Sequence, residues 1–307
     1  MKSYFKTFFS GFFMGSADLV PGVSGGTIAF ILGIYSELVQ TIASINKQLI
    51  IKFISFKWGW ILKNFNWKFL IVLFAGIFTA ILTLAHFLEL ALQNYPMYVW
   101  AFFTGLVLAS VPTIVKKVKG KWDAKLISLF IFGVIIALVV VNLTPAQTPN
   151  SPLFLFLCGA MASMAMILPG ISGSFILVLL GKYKYILSAV NDKDLFTIAL
   201  VGTGAALGII IFSKVINYFL HKYHDISVAI LGGFVLGAVS KIWPFKVEIP
   251  KKNFCSYVET FTTCVPRYKN TLPNLSNLHT LVALGFIILG AITILLITKL
   301  AKKSGKQ

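Results

Sequence analysis

The sequence is nearly without arginine and has few acidic residues. Arg267 is its only arginine, and 9 aspartates and glutamates stand against 27 lysines and arginines in a chain of 307 residues. Charged residues form 12% of the chain and hydrophobic residues 58%, with a mean hydropathy of +0.88. A soluble chain of this length needs far more polar surface. The composition therefore predicts a polytopic membrane protein without a separate soluble domain.

The formal net charge of +18 does not indicate a nucleic-acid partner. Most of the positive charge is lysine in loops between apolar segments, where membrane orientation and contact with anionic lipid headgroups account for it. Because arginine is nearly absent, an anion bound within the membrane would be held mainly by backbone N–H groups, hydroxyls or lysine. We expect membrane lipids as partners, and the sequence has no motif for a metal or another cofactor.

Cysteine is also scarce, with three residues. Cys158 lies in an apolar segment, and we interpret it as a packing residue. Cys255 and Cys264 flank the short stretch "CSYVETFTTC", whose spacing suits a disulfide if this loop lies outside the cytoplasm.

Long apolar segments dominate the rest of the chain. A helix needs about 20 apolar residues to cross a membrane. Two pairs of segments, 4–20 with 24–45 and 152–168 with 172–190, are interrupted at Pro-Gly-x-Ser-Gly, and the sequence does not decide whether each pair re-enters or spans fully. We predict an all-α fold in which each half has one broken pair and three spans. The six spans are 69–93, 98–115, 126–143, 195–220, 226–243 and 280–298.

The distribution of lysine predicts the orientation. Loops 46–68 and 116–125 and the C-terminal tail are rich in lysine, whereas 94–97 and 144–151 have neither lysine nor arginine. The positive-inside rule places the first three, and with them both termini, in the cytoplasm. The 244–279 loop then lies outside, although it contains several basic residues, and long loops obey the rule weakly.

The chain contains an internal repeat. The stretch around Pro21 aligns with that around Pro169, and "FFTGLVLASVPTI" (102–114) aligns further on with "ILGGFVLGAVSKI" (230–242). Three spans per half is an odd number, so the halves 1–146 and 150–307 should enter the membrane in opposite orientations. Many secondary transporters have this architecture, with binding sites at broken helices near the midplane. Breaks at matching positions favour transport over duplication for stability alone.

The two breaks, at 21–27 and 169–174, have the composition of an anion site. Non-helical backbone at membrane depth must be satisfied by protein or by a polar cavity. A helix that starts after Pro-Gly directs its first N–H groups into the break, and hydroxyls add donors suited to phosphate or carboxylate. A tight turn capped by serine is the alternative. The predicted substrate-binding residues are Pro21, Gly22, Ser24, Gly25, Gly26, Thr27, Pro169, Gly170, Ser172, Gly173 and Ser174.

Few ionisable residues lie within the apolar segments, and such residues are functional candidates. Asp18 precedes the first break and aligns with Met166, so it has no acidic counterpart. His86 and Glu89 are three residues apart on one helical face and are able to pair. We predict coupling to a proton or cation, or gating, at Asp18, Glu37, His86 and Glu89. The alternatives are that Asp18 caps the broken backbone and that Glu37 reaches the cytoplasmic interface.

The stretches "GSADLVPGVSGGTIAFILGIY" (15–35) and "ASMAMILPGISGSFILVLLGKY" (162–183) resemble the two signatures of the PopT family of bacterial polyprenyl-phosphate transporters. The resemblance implies a flippase of the bacterial cytoplasmic (inner) membrane. Its substrate would be undecaprenyl phosphate, returned from the outer to the cytoplasmic leaflet, with the headgroup held by the paired motifs. By the same match, it assigns the site to Asp18 and to the motif residues named above.

Two other functions fit the same pattern. Undecaprenyl-pyrophosphate phosphatases resemble this architecture, but their Pro-Gly-x-Ser motif is followed by arginine, and Gly25 and Gly173 stand at that place here. Phosphatase chemistry needs such a cation to stabilise charge in the transition state, so we predict that the protein is not an enzyme. A transporter of small soluble anions would use the same motifs. The sequence indicates neither the oligomeric state nor the isoprenoid length.

Overall fold

The computed structural model describes residues 2–20, 22–146, 148–248 and 268–304, and this part of the chain is almost entirely helical. The predictions for Pro21, Cys255 and Cys264 fall outside these residues. In chain order the elements are α1 (Lys2–Asp18), α2 (Gly25–Leu32), α3 (Tyr35–Ala43), α4 (Lys47–Ile54), α5 (Trp58–Asn64), α6 (Trp67–Asn94), α7 (Pro96–Val115), α8 (Ala124–Asn142), α9 (Pro152–Ile167), α10 (Gly173–Leu179), α11 (Tyr183–Asn191), α12 (Leu195–Lys222), α13 (His224–Ile242), β1 (Lys246–Glu248), β2 (Tyr268–Asn270) and α14 (Leu278–Ser304).

Among the described residues, six helices are long and apolar enough to cross a membrane: α6, α7, α8, α12, α13 and α14. Each coincides with a predicted span to within a few residues at its ends, so these predictions are confirmed. Local sequence sets where the spans begin. The carboxylate of Asp123 accepts the N–H of Leu126 at the start of α8 (2.8 Å), and Pro96 occupies the first turn of α7, where its missing N–H costs nothing.

The segments predicted as 24–45 and 172–190 are each divided by a second break, which corrects the sequence-based expectation. The chain bends by 113° between α2 and α3 and by 110° between α10 and α11. Gly33 and Gly181 supply these bends with φ of +80° and +64°, a conformation that other residues adopt only with strain. The 8 residues of α2 advance about 12 Å, far less than the hydrocarbon thickness of about 30 Å. α2 alone is therefore too short to cross the membrane, and α10, with 7 residues, is shorter still.

Equivalent helices of the two halves pack in equivalent ways. α1 packs along α6 as α9 packs along α12, and α7 packs along α14 as α8 packs along α13. Glycines at equivalent positions of the repeat allow the close approach: Gly11 with Gly159, and Gly105 with Gly233. At each, an added Cβ would lie 1.9–2.1 Å from a carbonyl oxygen of the neighbouring helix. The pairing is consistent with the predicted inverted repeat, while the division at 1–146 and 150–307 stays a prediction.

The loops collect at two ends of the bundle. At one end, the carboxylate of Asp225 accepts the N–H groups of Lys119 (2.9 Å) and Gly120 (2.8 Å), which joins the lysine-rich 116–125 loop to the turn between α12 and α13. At the other end, the hydroxyl of Tyr98 and Nδ1 of His279 lie 2.7 Å apart. This arrangement agrees with the predicted path of the chain, and which end is cytoplasmic stays a prediction.

Two predicted loops contain regular structure. The 46–68 loop holds α4 and α5, and Asn46 starts α4 by accepting the N–H of Leu49 at 2.9 Å. In the 244–279 loop, β1 pairs with β2 in antiparallel register, with Lys246 opposite Asn270. This pair fixes the start and the return of the loop against the end of α13.

Candidate functional site

The first break joins the end of α1 to the start of α2. Gly22 turns the chain with φ of +86°, and Ser24 precedes α2 in extended conformation. Asp18 Oδ1 accepts the N–H of Gly25 at 2.6 Å, and the Ser24 carbonyl accepts the N–H of Thr27 at 2.9 Å. The side chains of Ser24 and Thr27 are 3% and 2% exposed. The first N–H of α2 is therefore already bonded to a carboxylate, which is the capping role expected as the alternative for Asp18.

The second break repeats this backbone with different chemistry. Pro169 and Gly170 are buried, and Gly170 has φ of +94°. Met166 takes the place of Asp18: a Cβ on Gly173 would lie 2.6 Å from Met166 Cγ. The hydroxyls of Ser172 and Ser174 bond to each other at 2.7 Å and remain accessible. Met166 is uncharged and its thioether is a weak acceptor, so the start of α10 has no counterpart of the Asp18 carboxylate among the described residues.

The two breaks meet in the interior. A Cβ on Gly26 would lie 2.9 Å from the Met166 carbonyl oxygen, so the start of α2 abuts the end of α9. These are opposite ends of two helix dipoles, and each partly neutralises the other. The space beside them has room for about one water molecule, which is too little for a phosphate group. This cavity is lined by Gly22, Val23, Ser24, Thr27, Val107, Gly170, Val235, Ala238 and Ile242.

A lysine that the sequence analysis missed lies against the first break and against the helix that follows the second. Lys241, near the end of α13, has its Cγ 3.1 Å from the position of a Cβ on Gly22. Its ammonium lies 4.3 Å from the ring centroid of Phe175, in the first turn of α10. One signal for it was present in the sequence, a cation inside the repeat-matched stretch "ILGGFVLGAVSKI". Its position between Gly22 and Phe175 depends on packing between the halves.

A second lysine, Lys246, lies next to Lys241. Lys246 Nζ donates to the Lys241 carbonyl oxygen at 2.6 Å and lies 5.3 Å from the Trp100 ring centroid. Burial, and then the neighbouring charge of Lys241, lower the pKa of Lys246 to about 8. Two cations thus share one corner of the site, and no ion pair to either is found within the described residues.

The other predicted ionisable residues lie apart from this arrangement. Glu37 is exposed and accepts from Asn66 Nδ2 at 3.1 Å. His86 and Glu89 are exposed and do not pair with each other; instead Glu89 accepts from Gln93 Nε2 at 3.4 Å. No hydrogen bond joins Glu37, His86 or Glu89 to the described residues of either break.

Comparison with known proteins assigns the chain to a family. Residues 14–255 match the model of the VCA0040-like family, described as "Undecaprenyl phosphate translocase-like". The chain belongs to this family. It is 41% identical over 244 residues to the polyprenyl-phosphate transporter of Vibrio cholerae, covering 80% of this chain and 79% of the relative. It is 33% identical over 251 residues to that of Staphylococcus aureus, covering 76% of this chain and 84% of the relative.

No solved structure matches the chain. The family match extends over both breaks, α13 and the beginning of the 244–279 loop. Both of these relatives are named as transporters and not as enzymes, in agreement with the prediction that this multi-pass membrane protein is not an enzyme.

Proposed function

We propose that this protein is a flippase that returns undecaprenyl phosphate from the outer to the cytoplasmic leaflet of the bacterial inner membrane, with both termini in the cytoplasm. The observation that carries the proposal is the meeting of two equivalent helix breaks beside Lys241. The names of the relatives, which this chain matches over most of their length, support polyprenyl phosphate as the substrate.

The site offers the groups that a phosphate monoester requires. Ser172 and Ser174 present accessible hydroxyls, Ser24 and Thr27 present buried ones, and the ammonium of Lys241 lies over Phe175. A cation in a site of low polarity interacts with phosphate more strongly than it would in water. Because lysine holds phosphate as a single point charge and not as a fork, the interaction favours release after transport.

At the first break, the carboxylate of Asp18 competes with a phosphate for the same N–H group. This carboxylate occupies the N–H of Gly25, where a phosphate oxygen would otherwise bind. We propose that the headgroup binds first at the second break and Lys241, and that Asp18 prevents permanent capture at the first. Protonation of this carboxylate would couple transport to protons. Glu37, His86 and Glu89 have no comparable contact with the breaks.

Transport requires the breaks to separate, because the space between them is too small for a phosphate in this conformation. We propose that one set of paired helices moves against the other and exposes the site to each leaflet in turn, as in other inverted-repeat transporters. The isoprenoid tail needs no pocket, since it can remain in the lipid while the headgroup crosses.

The test is leaflet exchange in liposomes that carry undecaprenyl phosphate in one leaflet. We expect the Ser24→Ala plus Ser172→Ala double variant and Lys241→Gln each to slow exchange at least tenfold. The matched control is Ser36→Ala plus Ser188→Ala, which removes two exposed hydroxyls from α3 and α11. Unchanged exchange in both site variants would reject the site. Exchange of a soluble anion alone would reject the substrate, and phosphate release from undecaprenyl pyrophosphate would identify an enzyme.

A further inference from the structure

A cavity with basic lining residues lies away from the breaks, between the end of α3 and the last turns of α12. Its volume is about 520 Å³, and it is open to the surface. It lies at the end of the bundle where Asp225 joins the 116–125 loop, which is the predicted cytoplasmic end. We call it the α3–α12 cavity, lined by Ala43, Lys214, Asn217, Tyr218, His221 and Lys222.

The charge of the α3–α12 cavity has one sign. Lys214, His221 and Lys222 share one face of α12, because residues seven and eight apart are separated by about two helical turns. Among the residues that the structure describes, no acidic side chain lines the cavity. Lys222 is held in place, since its Nζ donates to the Tyr218 hydroxyl at 2.8 Å. Lys214 forms no hydrogen bond or ion pair with any described residue, so its charge is available to a ligand.

Two further polar groups suit a phosphate-bearing headgroup. The Nδ1 of His221 lies 2.8 Å from the Asn217 carbonyl oxygen, which can only accept, so Nδ1 carries hydrogen and Nε2 is left for a ligand. The Asn217 side-chain oxygen is buried and has no partner among the described residues. Once the Asn217 side chain turns into the cavity, this oxygen can accept from a hydroxyl of the headgroup: a protonated monoester phosphate, with a second pKa of about 6, or a glycerol hydroxyl of phosphatidylglycerol.

An apolar track leads away from the charged end. Ile211 and Leu207 follow Lys214 toward the middle of α12 on the same face, and their side chains are exposed. Lys214 itself is about 12 Å inside Lys222 along the helix axis, deeper than a lysine at the very end of a span. A ligand with a phosphate at Lys214 would lay an acyl or prenyl chain along these residues.

We propose that the α3–α12 cavity binds the phosphate of a lipid in the leaflet at this end of the bundle, separately from the two helix breaks. The phosphate belongs either to the carrier lipid after it has crossed or to a resident anionic phospholipid. Only the first of these sources rests on the proposed function.

Lipid retention measured by native mass spectrometry of the full-length protein in phosphatidylcholine nanodiscs tests the proposal. One arm contains undecaprenyl phosphate, and the other contains phosphatidylglycerol. We expect Lys214→Gln plus His221→Gln plus Lys222→Gln to weaken retention at least tenfold. The control, Lys116→Gln plus Lys119→Gln plus Lys125→Gln, removes lysines from the same end of the bundle outside the cavity and should change retention less than twofold.

The two lipids distinguish the two possible sources of the phosphate. Loss confined to undecaprenyl phosphate assigns the cavity to the carrier, and loss of both lipids or of phosphatidylglycerol alone assigns it to resident phospholipid. Equal loss in the control, or no loss in either arm, overturns the proposal. Lys214→Arg plus Lys222→Arg should retain the lipid, which distinguishes lost charge from misfolding. Ser24→Ala plus Ser172→Ala should retain it too, so failure of the transport site leaves this test intact.

Discussion

The first and second helix breaks have the same backbone and opposite chemistry. Both turn at a glycine with positive φ and start a short helix at the glycine that follows a serine. At the first, Asp18 neutralises the new helix, and the motif is buried. At the second, Met166 fills the same place, and serine hydroxyls remain accessible. The two breaks therefore share a geometry and differ by a single acidic side chain, which under our proposal leaves the second break free to receive an anion.

The largest expected effect comes from the turning glycines. Gly170→Ala should cost about 3 kcal/mol, because positive φ strains the residue and the new Cβ would lie 2.8 Å from Ala238 Cβ and 3.0 Å from the Phe234 carbonyl oxygen. Gly22→Ala should cost about 1–2 kcal/mol, since its nearest neighbour is the flexible Lys241 side chain. Thermal unfolding in detergent measures both.

Gly202→Ala is the matched control for these variants. It lies in α12, where nothing is within 4 Å of an added Cβ, and alanine favours the helix by about 1 kcal/mol. Equal destabilisation by Gly22→Ala and Gly170→Ala would show that the surroundings of the two turns do not differ as described.

The next effect comes from making the second break resemble the first. Met166→Asp would place a carboxylate next to the start of α10, as Asp18 is placed at α2, and should lower leaflet exchange of undecaprenyl phosphate about tenfold by repelling the headgroup. Met166→Asn has the same shape without the charge and should lower exchange less than threefold. If Asp and Asn have equal effects, charge at the second break is not what matters.

A smaller effect is expected from pH, through Lys246. Its lowered pKa means that the folded protein binds fewer protons than the unfolded chain between about pH 8 and its ordinary pKa of 10.5. The stability contributed by this group therefore rises with pH in that window, while attraction for phosphate falls as the charge is lost. Exchange should decline a few-fold from pH 7 to pH 9, and Lys246→Arg should flatten the profile.

Lys117 provides the control for this experiment. Burial, and then the charge of Lys6, lower its pKa to about 8, and its ammonium donates to the Phe30 carbonyl oxygen near the end of α2, away from the headgroup site. Lys117→Arg should leave the decline in place. Flattening by Lys117→Arg and not by Lys246→Arg would move the titrating group to the other end of the bundle.

Much of the fold follows from local sequence. Hydropathy is a property of a single segment, so the six spans and the two Pro-Gly breaks could be predicted. The bends at Gly33 and Gly181 lie inside apolar runs that hydropathy treats as continuous, and they depend on how α3 and α11 leave the break. The β1–β2 pair depends on two segments separated by 19 residues, between Glu248 and Tyr268.

The site could be predicted only in part. Proline, glycine and serine identify the breaks, because each has a local conformational meaning. The position of Lys241 beside Gly22 and Phe175 results from packing of α13 against both breaks, which no pattern within α13 reveals. The relation of Asp18 to Gly25 likewise depends on how sharply the turn folds back. The sequence identified Asp18 as unmatched, and the structure identifies what it occupies.

The packing of α7 against α14, a helix of the other half, has a consequence for biosynthesis. The glycine of α7 that admits a neighbouring backbone, Gly105, is covered by α14 and not by a helix of its own half. A ribosome completes α7 at Val115 and reaches Leu278 only more than 160 residues later. Until α14 is inserted, the surface of α7 around Gly105 is therefore exposed in the bilayer or covered by lipid or by an insertion chaperone. A chain that ends before α14 would leave this surface of α7 permanently uncovered and should be a substrate for membrane proteases.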